Sequence, residues 1–286
     1  MTVTTAPVVV GVDGSDASRG LVRWAAEEAW RHGRRLKVVH ALGLPGRFGW
    51  PGNGAAIVRE AAERARGWRP TLTVDTALML GSARPVLCEQ AKDAALLVVG
   101  SRGLGALAGV VLGSVSTHLC THASCPVLVV HRAERWAGPE VPLPQVGPIM
   151  VGVDGSTATR RALGMAFEEA AARKSWVLAI QAVPGTDPAA NGETQGGAAP
   201  QARVGGAETR AILSDLALWG TKFPDVTVDF SVRAGDPATM LSEASCAASM
   251  LVIGGLNEFG HPGQRFGSLT QQVVRHAPCP VLVVPT

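Results

Sequence analysis

The chain has 286 residues, 47% hydrophobic and 17% charged, with a formal net charge of +3. That length suits about two domains, each able to bury its own core. So weak a charge, with no basic run interleaved with aromatics, argues against a nucleic-acid partner, and no segment reads as a membrane span. Residues Met1 to Pro7 carry no cationic segment followed by an apolar core, so the chain reads as cytoplasmic. Cys88, Cys120, Cys125, Cys246 and Cys279 form an odd set without CxxC spacing, which fits reduced thiols better than a disulfide framework.

Val8 to Val12 is a continuous apolar run and reads as a first strand, leading into Gly11-Val12-Asp13-Gly14-Ser15. Ser15 is placed to cap a helix in which Val22, Ala25, Ala26 and Ala29 recur at helical spacing. Leu36 to Leu42, Leu72 to Leu80, Leu96 to Gly100 and Val127 to Val130 read as the second to fifth strands. Arg132 to Pro148 then holds Pro139, Pro142, Pro144 and Pro148 among polar and small residues, which suits a stiff linker. The expected division is a first domain over 1–135, a linker over 136–147 and a second domain over 148–286.

Beyond the linker the pattern starts again. Asp13 recurs as Asp154 in Gly152-Val153-Asp154-Gly155-Ser156, 141 positions on, and the same offset relates Glu27-Glu28 to Glu168-Glu169 and Ala41 to Ala182. Ser156 is placed as a cap, and Leu163, Ala166, Phe167 and Ala170 keep helical spacing. Trp176 to Val183, Val226 to Val232, Met250 to Gly254 and Val281 to Val284 read as strands. Thr73-Val74-Asp75 against Thr227-Val228-Asp229, and Pro126 against Pro280, are 154 apart, so the second half has gained about thirteen residues. The gain falls between Val183 and Gly206, where Gly, Ala, Pro, Gln and Asn replace any apolar period, as in a surface loop. Alternation of apolar strands with helices implies α/β domains, Rossmann-like, with parallel sheets covered on both faces. Ligands of such sheets bind beyond the carboxyl ends of the strands, where strand order reverses.

Each fourth strand is followed by one glycine pattern. The first copy is Gly100, two residues, Gly103, nine residues, Gly113, Ser114; the second is Gly254, two residues, Asn257, nine residues, Gly267, Ser268. Glycines let bare N–H groups approach an anion, and a helix opening at the Gly-Ser end adds partial positive charge, so polyphosphate is the natural guest. Gly100, Gly103 and Gly105 would offer amides, with Gly113, Ser114 and the Ser116 hydroxyl closing the pocket. Asp13 is placed to take a ribose hydroxyl or a metal-bound water; a turn aspartate capping the next helix is the alternative. His122 with Cys125 and His276 with Cys279 do not read as metal sites, because zinc takes four close ligands and each cysteine precedes a proline that opens a buried strand. His40, ending an apolar strand, reads as a satisfied boundary histidine.

Together these residues resemble the universal stress protein family in its tandem two-domain form, over nearly the whole chain. Gly100, Gly103, Gly113 and Ser114 match its nucleotide motif G-x2-G-x9-G-[ST] in full, and the opening GVDGS and closing HAxCPVLVV are family-like. The resemblance implies two five-stranded domains, similar to the adenine nucleotide alpha hydrolase architecture, paired through their last strands as a pseudo-dimer. It also implies ATP as ligand, with or without Mg2+. It puts Gly11 and Asp13 at the adenosine end, Ala41 in the adenine pocket, and Gly100, Ser101, Arg102, Gly103, Leu104, Gly105, Gly113, Ser114, Val115 and Ser116 around the phosphates. The matching places in the second half are Gly152, Asp154, Ala182, Gly254, Gly255, Leu256, Asn257, Gly260, Gly267, Ser268, Leu269 and Thr270. Asn257 adds bulk where phosphate approaches and Glu258 adds negative charge, which Arg265 can offset, so the second site is expected to be the weaker.

The function expected is that of an ATP-binding regulatory protein of the stress response, with little or no hydrolysis. The alternative is a slow ATPase or adenylyl-transferring enzyme of the same architecture. Neither glycine loop has the GxxxxGK[ST] lysine or a positioned base, and HIGH-like and SGGxDS-like signatures are missing. A dinucleotide fingerprint would follow the first strand, and the intact first motif argues against a decayed interaction module. Beyond ATP, the expected partners are the other half of the same chain and an unidentified regulatory protein; a homodimer of the tandem chain is left open.

Overall fold

The computed structural model of the chain describes residues 6–43, 53–101, 112–138, 140–144, 147–183, 206–255 and 268–285. Continuous valine and leucine runs form the inner strands β1 (Val8–Gly11), β4 (Leu96–Gly100) and β5 (Val127–Val130), and mixed apolar and polar runs form β2 (Leu36–Ala41) and β3 (Val74–Met79). The second half supplies β6 (Ile149–Val153), β7 (Val177–Val183), β8 (Val228–Ala234), β9 (Met250–Gly254) and β10 (Val281–Val284). Between them run α1 (Asp16–Arg31), α2 (Gly54–Trp68), α3 (Ala83–Ala91) and α4 (Ser114–His122), then α5 (Thr157–Arg173), α6 (Ala207–Lys222), α7 (Pro237–Ala244) and α8 (Ser268–His276).

All ten strands join one sheet in the order β3-β2-β1-β4-β5-β10-β9-β6-β7-β8. Pairing is parallel within each half and antiparallel only where β5 meets β10, with Leu128 opposite Leu282 and Val127 opposite Val283. Leu128 and Leu282 are equivalent residues of the two repeats, so a pseudo-two-fold axis passes between them. The expected pseudo-dimer is therefore present, and two apolar strands that would be aggregation-prone edges cover each other. Side chains alternate across the sheet. Leu128 and Val130 join the core under α1, α2, α5 and α6, while Val127 and Val129 join the core under α3, α4, α7 and α8. Two apolar layers thus run continuously across the seam between the halves.

Strand ends differ from the sequence reading by a residue or two, for visible reasons. Val12 and Leu42 lie past their strands, although their N–H groups still reach the carbonyls of Val39 and Met79, at 2.9 Å each. Val226 is buried but belongs to a turn, its N–H bonded to the Phe223 carbonyl at 3.0 Å. Ser15 and Ser156 do cap α1 and α5, each accepting from the amide three residues on. The inserted segment of the second half, residues 184–205, lies outside the described residues.

The segment joining the halves packs against the first one. Its 3-10 turn, Ala133–Trp136, lies so close to α1 that a Cβ on Gly20 would sit 1.7 Å from the Ala133 carbonyl oxygen. Trp136 meets Trp24 edge to face, with ring centroids 6.2 Å apart. Arg23 Nη1 donates to the carbonyls of Trp136, Gly138 and Val141 at 3.3, 2.5 and 2.8 Å. Among the described residues no helix is long and apolar enough to cross a membrane.

Candidate functional site

β1 and β4 are neighbours from which the chain departs in opposite directions along the sheet, toward β2 and β3 on one side and β5 on the other. Such a reversal opens a crevice beyond the carboxyl ends of the strands. The Asp13 turn and the start of α4 both stand there, and β6 and β9 repeat the arrangement in the second half.

Asp13 is a turn residue in fact. Its Oδ1 accepts from the Ser15 N–H at 3.0 Å, the Ser15 hydroxyl at 2.6 Å and the Ser18 hydroxyl at 2.7 Å. The Asp154 Oδ1 does the same with the Ser156 N–H and the Thr159 hydroxyl, both at 2.9 Å. Gly14 and Gly155 each take φ of +83°, a left-handed conformation open to glycine at little cost. This turn fixes the starts of α1 and α5 at the ends of β1 and β6. Gly11 and Gly152 have a packing reason to lack a side chain: a Cβ would lie 2.9 Å from Leu87 Cδ1 or Leu241 Cδ1.

At the end of β4 the chain is tied at both sides of the glycine loop. The Ser101 N–H donates to the Val130 carbonyl at 3.0 Å, and the Gly113 N–H to the Ser101 carbonyl at 2.6 Å. The buried Ser116 hydroxyl donates to the Gly100 carbonyl at 2.5 Å, so it braces the strand end against α4. Thr270 does this in the second half, its hydroxyl reaching the Gly254 carbonyl at 3.3 Å, while the Gly255 N–H meets the Val284 carbonyl at 2.8 Å. Gly113 is the extended N-cap of α4, which leaves the amides of Ser114, Val115 and Ser116 without acceptors inside that helix. Val115 and Leu269 also pack partly into the core on this face. Arg102, Gly103, Leu104 and Gly105, with Leu256, Asn257, Gly260 and Gly267, lie outside the described residues; so does the side chain of Ser268, which opens α8.

Ala41 ends β2 half-buried against the α3 and α4 side, and Ala182 sits in β7 opposite Arg233. Beside them the halves differ. His40 Nδ1 lies 2.8 Å from the Val12 carbonyl, as expected of a satisfied histidine, whereas its counterpart Gln181 accepts from the Thr209 hydroxyl at 2.9 Å. A cavity of about 370 Å³ opens on the α1 and α2 side of the Asp13 turn, lined by Val12, Asp13, Gly14, Ser15, Asn53 and Ile57 among others. That volume lies within the range of small-molecule sites. Asn53 and Ile57 had no motif to mark them; their one signal is their position at the start of α2.

A sequence model of the Universal stress protein family matches residues 5–131 and again 146–285. The chain belongs to that family. A universal stress protein of Mycobacterium tuberculosis (strain H37Rv) is 32% identical over 291 residues, covering 96% of this chain and 95% of that one. One from Mycolicibacterium smegmatis is 34% identical over 300 residues, with 97% and 96% covered. The crystal structure of a universal stress protein from Archaeoglobus fulgidus superposes with a TM-score of 0.70, 16% identity and coverage of 99% and 97%, a likeness of fold.

This universal stress protein buries a charged cluster where its halves meet. Arg173 of α5 donates Nη2 to Glu28 Oε1 of α1 at 2.5 Å and Nη1 to Glu169 Oε2. His32 Nε2 lies 3.1 Å from Glu169 Oε1 and 3.9 Å from Glu28 Oε2. Burial raises the Glu28 carboxyl above its ordinary value, with the Arg173 charge opposing and Glu169 reinforcing. Burial acts upward on Glu169 too, but the Arg173 charge and the His32 hydrogen bond outweigh it and hold that carboxyl down at about 2. For His32 burial acts downward, and the hydrogen bond and charge of Glu169 overcome it, so its pKa is raised. The cysteines are all unpaired, and burial pushes the Cys125 and Cys279 thiols up to about 12.

Proposed function

We propose that this universal stress protein is an ATP-binding regulatory protein of the stress response that holds the nucleotide as a ligand, with little or no hydrolysis. One observation carries the reading: the helix that begins at the Gly113-Ser114 end of a complete G-x2-G-x9-G-S pattern opens at the strand reversal shared with the Asp13 turn. Three first-turn amides and the helix dipole there suit phosphate oxygens. The cavity beside Asp13 brings Asp13, Ser15 and Asn53 together on the α1 and α2 side, whereas Ala41 faces the α3 and α4 side, so this cavity does not include the adenine position that the family resemblance gives to Ala41. Mg2+, if it accompanies the nucleotide, would arrive on the phosphates, since Asp13 Oδ1 already serves three local donors.

The test is thermal melting of the full chain with and without ATP, with phosphate release followed alongside. ATP at a hundredfold excess over Kd should stabilise the fold by about 2.7 kcal/mol. Asp13→Asn keeps the Oδ1 acceptor and so preserves the turn, which separates a ligand role from a capping role. Rapid phosphate release, or no thermal shift, would reject the proposal.

A further inference from the structure

Arg173 grips only one oxygen of each seam carboxylate, Glu28 Oε1 and Glu169 Oε2. The other two oxygens both face His32 Nε2, Glu169 Oε1 at 3.1 Å and Glu28 Oε2 at 3.9 Å, and the three residues bring one ligand atom each to within 4.8 Å of the others. Glu28 Oε2 is fully buried and has no hydrogen-bond partner. An orphaned carboxylate oxygen aimed at a second carboxylate and an imidazole is costly unless something positive sits between them. Two carboxylates against one guanidinium leave one buried negative charge, which a protonated His32 offsets in the empty cluster and a bound cation offsets when His32 gives up its proton to ligate it.

We propose that Glu28 Oε2, His32 Nε2 and Glu169 Oε1 form a divalent metal site of the zinc class that ties α1 to α5 across the seam. The donor set is one imidazole and two carboxylates, which suits zinc or cobalt; magnesium and calcium prefer oxygen alone. Zinc bonds of 2.0–2.2 Å put neighbouring tetrahedral ligands about 3.3 Å apart. His32 to Glu169 is already at 3.1 Å, and the 3.9 Å to Glu28 closes with a small carboxylate rotation. His32 keeps 23% of its side chain exposed, which gives an ion a way in and leaves the fourth position to water. Arg173 is the outer partner that orients both carboxylates, the arrangement expected around a built site. It also occupies the place equivalent to His32 in the second repeat, 141 positions on, so the pseudo-two-fold yields one off-axis site instead of two half-sites.

The experiment uses the full-length, tag-free chain stripped with EDTA and titrated with Zn2+ by calorimetry and with Co2+ by visible absorption. One Zn2+ per chain and a visible cobalt band are expected, with His32→Gln weakening Zn2+ binding by about 100-fold, the upper end of what losing even an outer partner costs. His118→Gln on α4, whose ring stacks on His122, should change nothing. In parallel, the ring resonances of His32 in the unmutated chain should move on adding Zn2+. Equal Zn2+ affinity in His32→Gln, a stoichiometry near zero, or an unmoved His32 ring would each overturn the site.

Discussion

The two halves of this chain share a frame and differ in what is attached to it. Asp13 and Asp154 make one turn, Gly11 and Gly152 admit one leucine, and Ser116 and Thr270 brace one strand end. These repeated features fix the strand ends and the Asp turns by local hydrogen bonds and close packing. The differences are elsewhere. Gly103 becomes Asn257 in the glycine pattern, His40 becomes Gln181 near the end of the second strand of each half, Gly20 becomes Arg161 in the first helix of each half, and His32 becomes Arg173 at the seam. The duplicated domain thus keeps the residues that fix the strand ends and the Asp turns, and differs in its loop sequence, under the connecting segment and at the seam.

The seam offers the largest effect by which to break the comparison. Replacing Arg173 by Met in metal-free protein leaves Glu28 and Glu169 buried without their shared cation and should cost about 3–5 kcal/mol in urea unfolding. His32→Gln, its repeat equivalent, should cost much less, because His32 is partly exposed and Arg173 still pairs both carboxylates. Equal losses would mean that the seam is symmetric after all. The Glu169 carboxyl, lowered to about 2 in the fold against an ordinary 4.5, contributes stability that is fully present above pH 4.5. That contribution is lost as pH falls toward 2, so the stability gap between the unmutated chain and Glu169→Gln should shrink over that window; it should also narrow above pH 6.5, as His32, whose raised pKa depends on Glu169, loses its proton.

Gly20→Ala should cost about 1–3 kcal/mol, since the added methyl meets the Ala133 carbonyl and displaces the connecting segment. Arg161→Ala at the equivalent place in α5 should stay within about 0.5 kcal/mol. The smallest expected difference is in the turns. Asp13→Ala and Asp154→Ala should each lose about 1 kcal/mol of helix-start stability, with Asp13 slightly the more costly for its extra donor. A null effect at Asp13 would return it to a purely ligand-facing role.

Much of this frame is legible in the residues. Leu96–Gly100, Met250–Gly254, Val127–Val130 and Val281–Val284 can be bounded to the residue because each is a continuous apolar run, and Pro126 and Pro280 mark where the last two begin. The pairing of β5 with β10 is legible too, since two such strands left as bare edges would aggregate. Two features are not. Glu28 and Glu169 show in the sequence as a shared offset, and only the two-fold placement of α1 against α5 turns that offset into a contact. A carboxylate set among Ala25, Ala26 and Ala29 on the buried face of a helix is the signal that was available. The packing of Ala133 to Trp136 onto α1 is not legible, because these residues open the stiff segment from Arg132 to Pro148 and their partner, the bare backbone at Gly20, leaves no side-chain pattern.

The most direct test of the central claim is calorimetric titration of ATP into the full chain and into Gly103→Leu and Asn257→Leu, with phosphate release measured on the same samples. Tight binding that is mostly lost in Gly103→Leu, little changed in Asn257→Leu and accompanied by negligible phosphate release is the result expected. Equal losses in the two variants, or turnover that survives Gly103→Leu, would contradict a first-half crevice that holds ATP as a ligand.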